Sequence, residues 1–260
     1  SIEMLILGAI ALISYVVWAA WQKERAVVPL HLFKFASFDG AGLGLFIAGT
    51  VLNGAMLLLP LYLQNVRGMS VINAALALLT QGAGMLVSRT LTGRLTDQIG
   101  AKYVVLGSVV ITFVGTLPFY WFGQQTSYWI LALILFVRGI GAGGILMPLM
   151  ADAYTGMQPG QVPAATIGTR IIQNIGSAFG SALITTIVTA YSTHQVNVFE
   201  RHLKAGTYHV DAAHLQVFTT SHLQAIRLAA FQQGFLVIAI AAIVIILPTL
   251  LLTNKLKAAK

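Results

Sequence analysis

The sequence predicts an all-α membrane protein of seven transmembrane helices, and three observations carry that prediction. Of 260 residues, 57% are hydrophobic and only 8% are charged, whereas soluble domains carry about 25% charged residues. Mean hydropathy is +0.83. The apolar residues fall into seven runs, about 4–21, 39–64, 71–93, 103–122, 128–150, 163–191 and 231–253, each near the ~20 residues that a spanning helix needs. A transmembrane barrel would alternate over segments of roughly ten residues instead.

The first run follows Ser1 and is too long for a signal-peptide core, which suggests part of a longer polypeptide. Orientation follows from Lys and Arg near span ends. Lys23, Arg25, Lys34, Arg94, Lys102, Lys255, Lys257 and Lys260 collect on one side, read as cytoplasmic; Arg67, Arg201, Lys204 and Arg227 lie on the other. The N-terminus is then outside and the C-terminus inside. Net charge is +8, but these basic residues flank spans, so nucleic-acid binding is excluded. The absence of cysteine removes disulfides and thiolate metal sites.

Residues about 192–230 read as one long extracytoplasmic loop, with His194, His202, His209, His214 and His222. No pair has the i,i+4 spacing of a helical zinc site and no acidic cluster accompanies them, so no metal is expected. The end of the loop, SHLQAIRLAAF, reads as an amphipathic lead-in to the last span.

Polar groups inside a span are costly, about 2.5–3.5 kcal/mol for a central Arg, and mark faces turned to water or a partner. Span 39–64 carries Thr50 and Asn53; span 71–93 carries Gln81, Ser88 and Arg89; span 128–150 carries Arg138 near its middle. In span 163–191, Thr166, Arg170, Gln173, Ser177 and Ser181 share a helical face, with Asn174 beside it. There Gly176 and Gly180 form a small-xxx-small step for close helix packing. Spans 103–122 and 231–253 have almost no such groups. Setting the first span aside, two mottled helices and an apolar one occur twice. That is the pattern of two inverted three-helix repeats whose first two helices line a cavity. The glycines of RGIGAGGILMP, at 138–148, fit close packing or a pliable segment.

One short stretch breaks the apolar pattern. GRLTDQIGAK, at 93–102, places Arg94, Asp97 and Lys102 between two spans, and reads as a cytoplasmic hairpin. Together with LLLPLYLQNVRGMS (57–70), RGIGAGGILMPLM (138–150) and IIQNIGSAFGSAL (171–183), it resembles the second half of a major facilitator transporter. The fourteen-span drug:proton antiporters are the most similar group. The resemblance covers nearly the whole chain. It implies a linker transmembrane helix and connector over 1–37 and a six-helix C-terminal domain over 38–260. Gly93, Asp97, Gly100 and Lys102 match the G-x-x-x-D-x-x-G-x-K/R signature of the loop between the second and third helices of a half. With Arg94 they form an expected conformational latch, Gly93 allowing close helix approach, Gly100 a tight turn, and Asp97 meeting a helix N-terminus in the absent N-terminal half.

The resemblance implies a proton-coupled exporter of amphipathic drugs or toxic small molecules in a bacterial inner membrane. Its partners are a small-molecule substrate, protons, the lipid bilayer and the missing half, with no cofactor. The C-side cavity wall is assigned to Asn53, Met56, Gln81, Met85, Arg138, Arg170, Gln173 and Asn174. The family often has a basic residue where this chain has Gln173; here the Arg stands at 170. No carboxylate lies deep in the spans from 71 onward, so coupling acids are expected in the other half. The alternative is a carrier for a metabolite or organic anion, favoured by the two Arg. A seven-span retinal protein would need a Lys in 231–253, which has none; an enzyme would need a catalytic constellation at membrane depth, which is absent.

Overall fold

The computed structural model describes residues 36–205 and 215–252, with four isolated helical positions, Gly8, Ile10, Ser14 and Trp18. The span predicted at 4–21 and the connector to 35 therefore lie outside the described residues, apart from those four positions. Eight helices are described: α1 Ala36–Asn65, α2 Val71–Ile99, α3 Ala101–Thr116, α4 Tyr128–Gly143, α5 Leu146–Ala153, α6 Val162–Lys204, α7 Leu215–Val244 and α8 Ile246–Thr249. A 3-10 turn, Leu117–Tyr120, prolongs α3, and another, Pro159–Gln161, leads into α6. Among the described residues six segments are long and apolar enough to cross a membrane. In that count α4 with α5, and α7 with α8, each make one crossing.

Proline explains both interruptions. Pro148 has no N–H to give the carbonyl four residues back, at Gly144, and Pro248 none for Val244. The helix breaks near those two points, and each pair of pieces still counts as one crossing. Pro60 sits within α1 without breaking it. At the start of α2, Ser70 caps the helix by accepting from the Asn73 N–H (3.2 Å), satisfying one donor that the first turn leaves open.

The bundle is organised by two long seams, α1 against α6 and α2 against α4. Both are closed by glycine. A Cβ at Gly176 or Gly180 would run into the α1 backbone at Phe46 or Thr50, and one at Gly139 into the α2 backbone at Gln81. Helices packed in lipid gain little from apolar burial, so close backbone approach supplies the van der Waals contact that holds them. α3 packs on α4 and α7, and α7 also packs on α1 and α6. At one end of the bundle Tyr62, Phe119 and Phe235 form an aromatic knot, with Phe119 and Phe235 stacked at 4.6 Å.

Three expectations need correction. The stretch expected as a loop at about 192–230 is largely helical: α6 runs on to Lys204 and α7 begins at Leu215. Hydropathy registers where a helix leaves lipid, not where it ends. At 1.5 Å per residue, the 43 residues of α6 extend roughly 65 Å. The extension is held by aromatic contacts, Phe199 stacking on His222 at 5.1 Å; His209 and His214 lie outside the described residues. Secondly, the helix expected over 71–93 is longer: α2 continues to Ile99, so most of GRLTDQIGAK is helical and the reversal falls at Gly100, the residue expected to make the tight turn, whose φ of 89° favours glycine. Thirdly, α3 is not purely apolar: Ser108, Thr112 and Thr116 are buried on its inner face. The Thr112 and Thr116 hydroxyls donate to carbonyls four residues back, which satisfies them inside an apolar bundle.

Candidate functional site

Asn53 and Met56 from α1, Gln81 and Met85 from α2, and Gln173 from α6 line a single hollow of about 350 Å³, walled otherwise by Leu52, Leu59, Leu78, Gly82, Ala142 and Leu146. Five of the eight residues expected to line a cavity thus meet. Met56 stands on the lip, 70% exposed. Its flexible thioether and that of Met85 suit irregular apolar shapes.

The amides are held from behind. The Asn53 side chain donates from Nδ2 to Ser177 Oγ (2.7 Å) and Gly49 O (3.3 Å), which leaves Oδ1 as an acceptor without a partner among the described residues. Gln81 has the opposite polarity. Its Oε1 accepts from Arg138 Nη1 at 3.0 Å, leaving Nε2 as a donor. Gln173 Oε1 accepts from Arg170 Nη1 at 3.4 Å, again leaving Nε2. The hollow therefore offers amide donors and an amide acceptor on an apolar wall, and no acidic residue lines it.

The three remaining residues lie elsewhere. Arg138 is 1% exposed and sits behind Gln81, not in the hollow. Its Nε donates to Thr116 Oγ1 (3.2 Å), while Nη2 has no partner. The sequence missed Thr116, because α3 looked apolar; Gly115 beside it, where a Cβ would strike the Arg138 backbone, was the available signal. Arg170 and Asn174 are exposed on α6, Arg170 touching the hollow only through Gln173.

Of the residues expected to form a latch, Arg94 and Asp97 are exposed on the last turns of α2. Asp97 has no partner among the described residues. Lys102 donates to Leu250 O at 3.0 Å, tying the α2–α3 turn to the end of α8. No described helix approaches Gly93: a Cβ there would meet nothing within 4 Å. Asp152 is 3% exposed at the end of α5 and engaged there, remote from the hollow. Among the described residues no group of three His, Asp or Glu side chains is placed to hold a metal ion.

Six bilayer-length segments among the described residues, four of them lining a hollow with three amides in its wall, describe a multi-pass membrane protein. The sequence profile of the Major Facilitator Superfamily matches residues 2–181, and the chain belongs to that superfamily. That superfamily is one of membrane transporters, not of enzymes. The chain is 29% identical over 192 residues to the uncharacterized MFS-type transporter YhcA of Bacillus subtilis, a match covering 74% of this chain and 36% of that protein. The Multidrug resistance protein B homolog of Mycobacterium tuberculosis is 29% identical over 188 residues, 71% of this chain and 35% of its own length. Lincomycin resistance protein LmrB of Listeria monocytogenes is 28% identical over 186 residues, 72% and 39% respectively. The chain spans less than half the length of these relatives.

Proposed function

We propose that the chain is the C-terminal half of a proton-driven exporter of amphipathic small molecules, of the fourteen-span antiporter type, working with a second helical bundle. The observation that carries this reading is the convergence of Asn53, Met56, Gln81, Met85 and Gln173 on one hollow. At about 350 Å³ it is near the small end of ligand pockets, roughly 300–1,000 Å³, as suits one wall of a shared site. The names of two relatives, which refer to multidrug and lincomycin resistance, favour drug export over other cargoes.

Rocking about the site is favoured by the packing. If α1, α2 and α3 form one repeat and α4/α5, α6 and α7/α8 the other, exchanging the repeats turns the α1–α6 seam into the α4–α2 seam. Both seams are closed by glycine, as exchange of inverted repeats would give. The span at 4–21 is then the linker crossing, and the positive-inside bias puts the C-terminus in the cytoplasm. Exposed, unpartnered Asp97 would meet a helix N-terminus of the other half in one state and leave it in the other. Proton coupling needs a carboxyl whose pKa burial can raise; none lines this hollow, so the other half supplies it.

A second reading, a carrier of organic anions, draws on one observation: Arg138, bonded to the lining amide of Gln81, has no carboxylate among its hydrogen-bond partners in the described residues. The two are separated by measuring, in energised vesicles bearing the full transporter, efflux of a cationic dye and uptake of a labelled organic acid. Gln81→Leu, Asn53→Leu and Gln173→Leu should each raise KM for the true substrate at least about fivefold, the worth of one lost hydrogen bond. Unchanged transport of both probes in all three variants removes the hollow from the substrate path.

A further inference from the structure

At the end of the bundle opposite the Gly100 turn, a second pocket of about 460 Å³ lies between the α1–α2 connection, the α3–α4 connection and α7. Its polar lining is Asn65, Arg67, Gln124, Gln125, Gln224 and Arg227, with no acidic residue. Two arginines gather here at the end that the positive-inside bias should empty. We propose that this pocket binds the phosphate of an anionic phospholipid in the outer leaflet.

Arg67 is fixed before any ligand arrives. Its Nη2 donates to Thr126 O at 2.6 Å, and that loop is tied by Thr126 Oγ1 accepting from the Gly123 N–H (3.0 Å). Its Nε and Nη1 are shielded and have no hydrogen-bond partner among the described residues. Donors left unmade in this way are costly, and a phosphate oxygen reaching them would be a charge-assisted acceptor. Arg227 lies exposed on α7 across the pocket and supplies the second positive charge.

The surroundings specify a lipid. Trp121 and Trp129, 67% and 80% exposed, flank the α3–α4 connection with Tyr128, the belt that aromatic rings form at headgroup level. Val71 and Ile72, also exposed, begin α2 just beyond Gly68 of the pocket rim and give acyl chains an apolar surface. Glutamine and asparagine amides would bond the glycerol hydroxyls of a headgroup such as phosphatidylglycerol.

The test uses the full transporter, purified and delipidated, with lipid retention read by native mass spectrometry and thermal stability read in parallel. Phosphatidylglycerol should be retained and should raise Tm, as a ligand of the folded state does; phosphatidylcholine should not. Arg227→Gln disturbs no side-chain hydrogen bond among the described residues, and should lower phosphatidylglycerol retention at least about fivefold by loss of one ion pair. Arg201→Gln, on the outer extension of α6, should leave it unchanged. Equal retention by wild type and Arg227→Gln overturns the site. If inorganic phosphate, at matched ionic strength, stabilises as much as the lipid and the gain disappears in Arg227→Gln, the ligand is a free anion and the lipid assignment is overturned.

Discussion

Arg138 Nη1 donates to Gln81 Oε1 across 3.0 Å, joining α4 to α2 directly behind the hollow. A buried guanidinium thus fixes which end of an amide faces the cavity. Removing one member of such a contact strands the other, which costs more than the net worth of the bond. Arg138→Ala leaves Gln81 Oε1 and Thr116 Oγ1 without this donor, and should lower the stability of the purified transporter by about 1–3 kcal/mol and abolish transport. A cycle with Gln81→Leu should give a coupling of about 0.5–3 kcal/mol. Additive losses of Tm would mean that the two side chains act independently.

Glycines of this chain should separate by what faces them. Gly180 meets the Thr50 backbone, which cannot move aside, so Gly180→Val should leave little folded protein after detergent extraction. Gly93 lies in open space within α2, so Gly93→Ala should stabilise by about 0.5–1 kcal/mol through helix propensity. Thermal melts of both variants check the contrast; destabilisation by Gly93→Ala would mean that something packs there after all.

Gly100 is buried and is constrained by its dihedral angles. With φ at 89° and ψ at 155°, a region essentially reserved for glycine, Gly100→Ala should cost about 1–3 kcal/mol. The protein should still insert and be recovered at lower Tm. An unchanged Tm would show that the turn relaxes freely.

Asp97 offers a clean separation of folding from turnover. It is exposed and unpartnered among the described residues, so Asp97→Asn should shift stability by under about 0.5 kcal/mol, as surface changes do. If it latches one state of the transport cycle, turnover should fall several-fold with substrate affinity nearly unchanged. Normal turnover removes the latch.

Much of the architecture was legible because lipid imposes a length and an apolarity that a linear chain must display. The runs at 39–64, 71–93, 103–122 and 128–150 each lie within, or close to, a described helix. What hydropathy could not register was helix beyond the lipid, as in the last turns of α2 and the outer part of α6. Side-chain partners were harder still. That Arg138 is deep could be read from its position in 128–150, but its bonds go to Gln81, 57 residues away, and Thr116, 22 away, on helices whose neighbours no single sequence declares. The convergence of Asn53, Met56, Gln81, Met85 and Gln173 was legible as a set of polar and adaptable groups on mottled helices. Their mutual orientation, with one amide turned acceptor-outward and another donor-outward, depends on Ser177 and Arg138.

The unbroken 43 residues of α6 make it a mast anchored in the bundle and standing well clear of the membrane. At roughly 65 Å, about half of it projects beyond a hydrocarbon core of ~30 Å. A rigid arm magnifies rotation along its length, and α7 moves with it where Phe199 meets His222: a tilt of about 10° at the bilayer edge sweeps a point ~30 Å away through about 5 Å. A fluorophore or spin label near Arg201 would therefore act as a pointer, converting small reorientations deep in the membrane into distances that can be read in the aqueous phase.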